Sequence, residues 1–373
     1  MGMRCSRSSE PKTVQTVALI DRNQASIYCP LTMHKYAILL VNLGSPNSTS
    51  VEDVRRYLEE FLSDDRVIDS PKLIQQLILH YFILPKRPKQ SAEAYRTIWT
   101  DEGSPLIVTS RNLQALLQER VEETVELAMR YGKPSIPDAI ARLKEQGIER
   151  LLLVPLYPHY AMSSYETVVV RVMEEVAEQM PNMTVETVQP FYNEPAYIEA
   201  LYESAKPYLE SEFDHLLFSY HGIPVRHLKK ADSSKGHCQI VPNCCETCSP
   251  VHSTCYKAQC LATTAAFVER AQLGPDRYSV SFQSRLGREP WLEPYTDQTL
   301  PKLAKEGKKR VLVMMPAFVS DCLETLEEIA GEGKELFMEA GGESFQAIPC
   351  LNEHPSWIDF LAGKVDAARP VAV

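Results

Sequence analysis

No run of eighteen or more apolar residues occurs in the 373-residue sequence, so no segment reads as a membrane-spanning helix. No short apolar core behind basic residues opens the chain either, and no export signal is expected. Positive charge is in short supply: 39 Lys and Arg against 49 Asp and Glu leave a formal net charge of −10. That is the reverse of a nucleic-acid footprint; it suits a cytoplasmic protein that handles small molecules or cations. Phosphate loops are missing. No G-x-G-x-x-G follows a strand-like run and no G-x-x-x-x-G-K-[ST] occurs, so nucleotide-driven chemistry has no support. Low-complexity tracts and short tandem repeats are absent. Cysteine is sparse over most of the chain, and none follows Cys350.

The sequence does hold a regular alternation of two periods. Its 44% hydrophobic and 24% charged composition is that of a globular protein, and its length suggests two domains. "YAILLV" (36–41) is a buried-strand run ended by "NLGSP". Val51, Val54, Leu58, Phe61 and Leu62 then recur at helical spacing behind the N-cap candidates Ser48 and Ser50. The pattern predicts further strands at 151–154, 216–219, 278–282 and 311–315. It also predicts a helix over "IPDAIARLKEQG", closed by Gly147, and a long one from about Tyr256 to Leu273. Strands separated by such helices mean βαβ units and parallel sheets, here enough for two. The expected division is an N-terminal extension (1–32), a first α/β domain (33–175), a second (176–355), and a C-terminal helix and tail (356–373).

Ligand residues in open α/β sheets sit just past the carboxyl ends of strands. That rule selects "NLGSP", "SYHGIP" and "AFVSDCLETLEE". His221, in the second, has the chemistry of a proton acceptor or metal ligand near neutral pH, or simply hydrogen-bonds its turn. In the third, Glu324, Glu328 and Glu332 recur at i, i+4 and i+8 with Asp321 just before them. Like charges at that spacing cost an isolated helix roughly 0.2–0.5 kcal/mol per pair, so stability does not explain the row. A cation path or proton-accepting carboxylates would explain it. So would a solvated acidic face, with Gly331 and Gly333 placed to break the helix before the third member. Trp291, beside a proline turn, suits stacking on a flat ligand as well as burial. "LIQQLILHYFILPKRPK" (73–89) reads as a membrane-facing lip or a core helix with a basic cap; pattern alone favours the core helix.

Taken together, "ILLVNLGSPNS", "LPKRPKQSAEAYRTIWTDEGSPL", "MRYGKPSI", "LLLVPLYPHYA", "LLFSYHGIP", "YKAQCLATT", "SFQSRLGREPWLEPYTD" and "PAFVSDCLETLEEI" resemble ferrochelatase over nearly the whole chain, from about Met33 to Val365. The resemblance implies two similar Rossmann-like, chelatase-type domains with a cleft between them. It also implies insertion of ferrous iron into protoporphyrin IX to give protohaem, with release of two protons. His221 matches the family's active-site histidine and Glu324 its partner carboxylate, both also iron-handling, with Glu328 beside them. Arg130, Tyr131, Trp291 and Asp321 match porphyrin-pocket positions. Where some relatives carry a histidine after the aspartate, this chain has Cys322. A related tetrapyrrole chelatase, for cobalt or for coproporphyrin, and a non-catalytic haem or metal carrier are the alternatives. Peripheral contact between the 73–89 lip and the inner membrane is a further expectation.

Six of the ten cysteines crowd into "GHCQIVPNCCETCSPVHSTCYKAQC" (236–260). A chain this long needs no disulfide staple, and in a reducing compartment such a patch reads as a metal site. Zinc sites usually show two C-x2-C pairs, whereas here only Cys245 and Cys248 have that spacing. Irregular thiolate sets are common in iron–sulfur ligation, and some ferrochelatases carry a [2Fe–2S] cluster in an internal loop. The resemblance therefore implies such a cluster, with Cys238, Cys245, Cys248 and Cys255 as ligands and Cys244 and Cys260 in reserve.

Overall fold

In the first strand, β1 (Tyr36–Ser45), the positions from Ala37 to Asn42 are all buried, as expected when helices cover both faces of a sheet. A computed structural model describes residues 35–369 except Arg288. The expected extension 1–32 and the last residues of the expected tail lie outside them. The described chain forms two four-stranded sheets, entirely parallel. The first contains β1, β2 (Thr124–Gly132), β3 (Arg150–Pro155) and β4 (Thr184–Thr187), ordered β2-β1-β3-β4. The second contains β5 (His215–His221), β6 (Tyr278–Gln283), β7 (Arg310–Met314) and β8 (Ser344–Ala347), ordered β6-β5-β7-β8. Each sheet places its first strand second in the row, so the same winding occurs twice.

Local signals set several ends. Ser50 caps the helix Val51–Leu62 by accepting from the Asp53 N–H. Ser135 does the same for Ile136–Glu145, which closes before Gly147 at φ +67°. β1 runs on through "NLGS", beyond its expected end, because Gly44 lets it pass β2. A Cβ there would sit 1.8 Å from the Tyr131 carbonyl oxygen. One buried cluster joins side chains of both sheets, including Leu40, Met129, Phe218 and Met314. The helix Pro355–Ala368 packs against Pro105–Gln118 and Pro195–Leu209, with Trp357 fully buried on Phe191 and Phe360.

Two expectations change. The acidic row does not lie on an α-helix broken by glycine. Glu324–Gly333 winds as a π-helix straight through Gly331 and continues as the α-helix Lys334–Glu339. Nor is 73–89 a core helix. Lys72–Ile78 and the π-helical Leu79–Ile83 leave Leu73, Ile74, Leu77, Tyr81 and Phe82 between 47% and 75% exposed. Pattern alone misjudged this segment because its apolar residues run around the helix, and sequence does not reveal which face the body of the protein covers.

Candidate active site

The carboxyl ends of β1, β3 and β5 open onto one cavity of about 750 Å³, the size of a cofactor-class pocket. Its wall is mostly apolar, from Leu58, Phe61 and Ile83 on one side to Ile223, Trp291 and Phe318 on the other. His221, Glu324 and Trp291 all line it.

His221 is the last residue of β5, and its Nδ1 lies 2.6 Å from the Gly222 carbonyl oxygen. A carbonyl only accepts, so Nδ1 carries a proton, and in the neutral form of the ring the lone pair lies on Nε2. Glycine is required next. A Cβ on Gly222 would meet the Gln283 carbonyl oxygen at 2.8 Å and the Trp291 ring at 3.3 Å. The Tyr256 hydroxyl donates to the His221 carbonyl at 2.9 Å.

Glu324 opens the π-helix, a geometry often found at functional sites. Glu328 follows it and accepts from the Ser284 N–H at 2.7 Å, the Ser284 hydroxyl at 2.5 Å and the Gln283 amide at 3.4 Å. Burial raises the Glu328 carboxyl above its ordinary value and the charge of Glu324 adds to this, while the Ser284 hydrogen bonds and His221 oppose it. Glu327 is raised for the same first reason, with Glu332, Glu328 and Glu324 adding like charge. Glu327 and Glu328 therefore hold protons more readily than an ordinary carboxylate.

Other expected residues lie elsewhere. Arg130 and Tyr131, at the end of β2, do not line the cavity; both bond Asp64, at 2.5 and 2.9 Å. Burial works to raise the Asp64 carboxyl, but bonds from Thr167, the Arg66 N–H, Arg130 and Tyr131 hold it below the usual range. Asp321 also stays out of the wall. It accepts from Asn352 at 2.6 Å and Thr325 at 2.9 Å and anchors the turn after β8. Sequence reasoning missed His159, Tyr256 and Arg226, all of which line the cavity. The strand-end rule, applied to "LYPHYA" after β3, would have found His159.

The cysteine insert draws some of its thiols together. Cys238 and Cys255 are buried in one cluster with Cys245 packed against it, and the Cys244, Cys245 and Cys255 thiols act on one another's titration. Cys255 is the N-cap of the helix Tyr256–Arg270. Its thiol falls to about 6 because Cys245 bonds to it, and the Ala258 and Lys257 N–H groups and the His252 charge also act against burial. Burial pushes Cys238 up to about 12. Cys260 is fully buried beside Tyr256, and Cys248 is not a free thiol. Among the described residues, no group of three or more His, Cys, Asp or Glu side chains is arranged to hold a metal ion.

Residues 35–369 match the family model described as Ferrochelatase. A ferrochelatase of Opitutus terrae is 61% identical over 336 residues, 89% of this chain and 97% of that protein. One of Pseudomonas entomophila is 52% identical over 338 residues, 90% of this chain and 100% of that one. Among solved structures, the sirohydrochlorin chelatase SirB from Bacillus subtilis subspecies spizizenii, in complex with cobalt, superimposes with a TM-score of 0.51. It covers 89% of this chain and 94% of its own at 11% identity, a likeness of fold alone.

Proposed function

This chain belongs to the ferrochelatase family, and from that premise we propose how its cavity residues share the work. As a member it is an enzyme that inserts ferrous iron into a porphyrin for haem synthesis. We assign protoporphyrin IX as the substrate. Metallation must take two protons from pyrrole nitrogens and bring a divalent cation to a planar ring. The observation that carries our reading is the bond between His221 Nδ1 and the Gly222 carbonyl. It orients the imidazole in the cavity wall and fixes its tautomer, so that the neutral form carries its lone pair on Nε2, as a proton acceptor needs. Glu324 shares in proton removal or iron handling, and Glu328 continues the carboxylate row behind it. Trp291 and the apolar wall hold the macrocycle, whose distortion draws on binding energy elsewhere on the ring. Arg130, Tyr131 and Asp321 act at one remove, through the loops they anchor.

The cysteine insert offers an iron–sulfur cluster its donor chemistry, several thiols gathered in one buried patch with one of them biased toward thiolate, although among the described residues the side chains are not arranged around a metal position. Cys238, Cys245 and Cys255 would hold a [2Fe–2S] cluster, with Cys244 as the fourth ligand, since Cys248 is not a free thiol. Such a cluster supplies one-electron chemistry, which metallation does not require, so its part here is structural or sensory. No helix among the described residues is long and apolar enough to cross a membrane. We place the protein in the cytoplasm, with the exposed lip and the nearby Lys86, Arg87 and Lys89 touching a bilayer from which an oily porphyrin arrives.

One experiment tests both halves of this reading. Protein purified without oxygen is assayed for ferrous-iron insertion into protoporphyrin, with iron, zinc and acid-labile sulfide measured on the same sample. We expect turnover, with iron and sulfide in equal amounts. A colourless, zinc-loaded protein would remove the cluster, and absence of turnover would remove the substrate assignment.

A further inference from the structure

The cysteine insert leads directly into the helix Tyr256–Arg270, of which Cys255 is the N-cap and Tyr256 the first residue. The Tyr256 side chain is 5% exposed and reaches the cavity, where its hydroxyl donates to the His221 carbonyl at 2.9 Å. A buried tyrosine hydroxyl needs a partner. Here the partner is the backbone of the residue read as the proton acceptor. The His221 carbonyl belongs to the peptide that leads into Gly222, and the Gly222 carbonyl in turn holds the imidazole Nδ1. A shift of that peptide therefore turns the ring.

The start of this helix is tied on both sides. Cys255 caps the helix and is buried in one cluster with Cys238, against which Cys245 packs. Within the same first turns, Gln259 donates to the His252 and Ser253 carbonyls at 3.1 and 2.9 Å and accepts from the Tyr160 N–H at 2.7 Å. The ring of Tyr256 packs edge-on against His159, centroids 5.8 Å apart, which limits where its hydroxyl can point. Thiols, helix start, phenol and histidine peptide thus form one connected path.

We propose that Tyr256 is a positioning residue for His221, and that through it the state of the cysteine insert sets the geometry of the proton acceptor. The inference rests on the reading of His221 as that acceptor.

Tyr256→Phe removes only the hydroxyl. We expect kcat for ferrous-iron insertion to fall about five- to tenfold, the worth of one buried hydrogen bond. KM for porphyrin and the porphyrin affinity read by fluorescence should be unchanged. Cys255→Ala should lower kcat to a similar extent, and the double variant should fall no further than either single one, because both act on one path. Hydrogen exchange at residues 219–224 should quicken in all three proteins. Cys245→Ala, which alters the packing of the insert against Cys255, serves the same comparison if Cys255→Ala does not fold. A Tyr256→Phe protein with wild-type kcat overturns the positioning role. Losses that multiply in the double variant overturn the link to the insert. A His221→Ala protein with wild-type turnover would instead remove the acceptor reading itself, whatever Tyr256→Phe does.

Discussion

His159 shows how burial sets a protonation state with no charged neighbour. Thr263 donates its hydroxyl to the Tyr192 carbonyl at 2.6 Å, so its oxygen accepts from His159 Nε2 at 2.8 Å, and Nδ1 is left without a partner. Desolvation alone lowers this imidazole from 6.5 to about 3. A histidine whose folded pKa lies below its unfolded value stabilises the fold above the unfolded pKa and loses that contribution as pH falls. The window here runs from 6.5 down to about 3. Within it each pH unit costs roughly 1.4 kcal/mol. In His159→Gln, whose amide can still donate to Thr263, the fall in melting temperature across that window should be shallower than in the wild type. Parallel curves would mean that His159 is protonated in the fold.

Among the elements, short edge strands and helix type were the hardest to read. β4 and β8 have four residues each with alternating exposure, too little pattern to separate from loop. β2 escaped because Glu126 and Arg130 interrupt its apolar run. The π-helix at Glu324 could not be foreseen, since i→i+5 winding has no periodicity that ten residues make plain. The lip is the opposite case. Its composition was legible and its exposure was not, because exposure depends on what else packs there. Leu73 and Tyr81, at 75% and 73% exposed, lie outside the cavity wall. Replacing both by Ser should reduce flotation with anionic lipid vesicles several-fold, since burying each side chain is worth roughly 1.5–3 kcal/mol, while metallation of detergent-dispersed porphyrin stays the same. Unchanged flotation would show that the lip does not meet a bilayer.

At the scale of the whole molecule, the two parallel sheets were legible because β1, β3, β5 and β7 are nearly continuous apolar runs, the mark of strands covered on both faces. The site was legible where a strand end coincided with an unusual residue, as at His221. It was not legible where side chains pair across long stretches of chain. Arg130 and Tyr131 turn to Asp64, Asp321 turns to Asn352, and the His221 carbonyl meets a hydroxyl 35 residues on. Such partners are fixed by the packing of the halves, which no local spacing encodes. The central claim is that His221 takes the pyrrole protons of a porphyrin bound in the shared cavity. It is tested most directly by single-turnover metallation with His221→Ala, with porphyrin binding followed by fluorescence on the same protein. The account predicts porphyrin affinity near that of the wild type and metallation slower by at least about a hundredfold, the usual reach of general-base catalysis. Metallation at the wild-type rate, with porphyrin bound equally well, would contradict it.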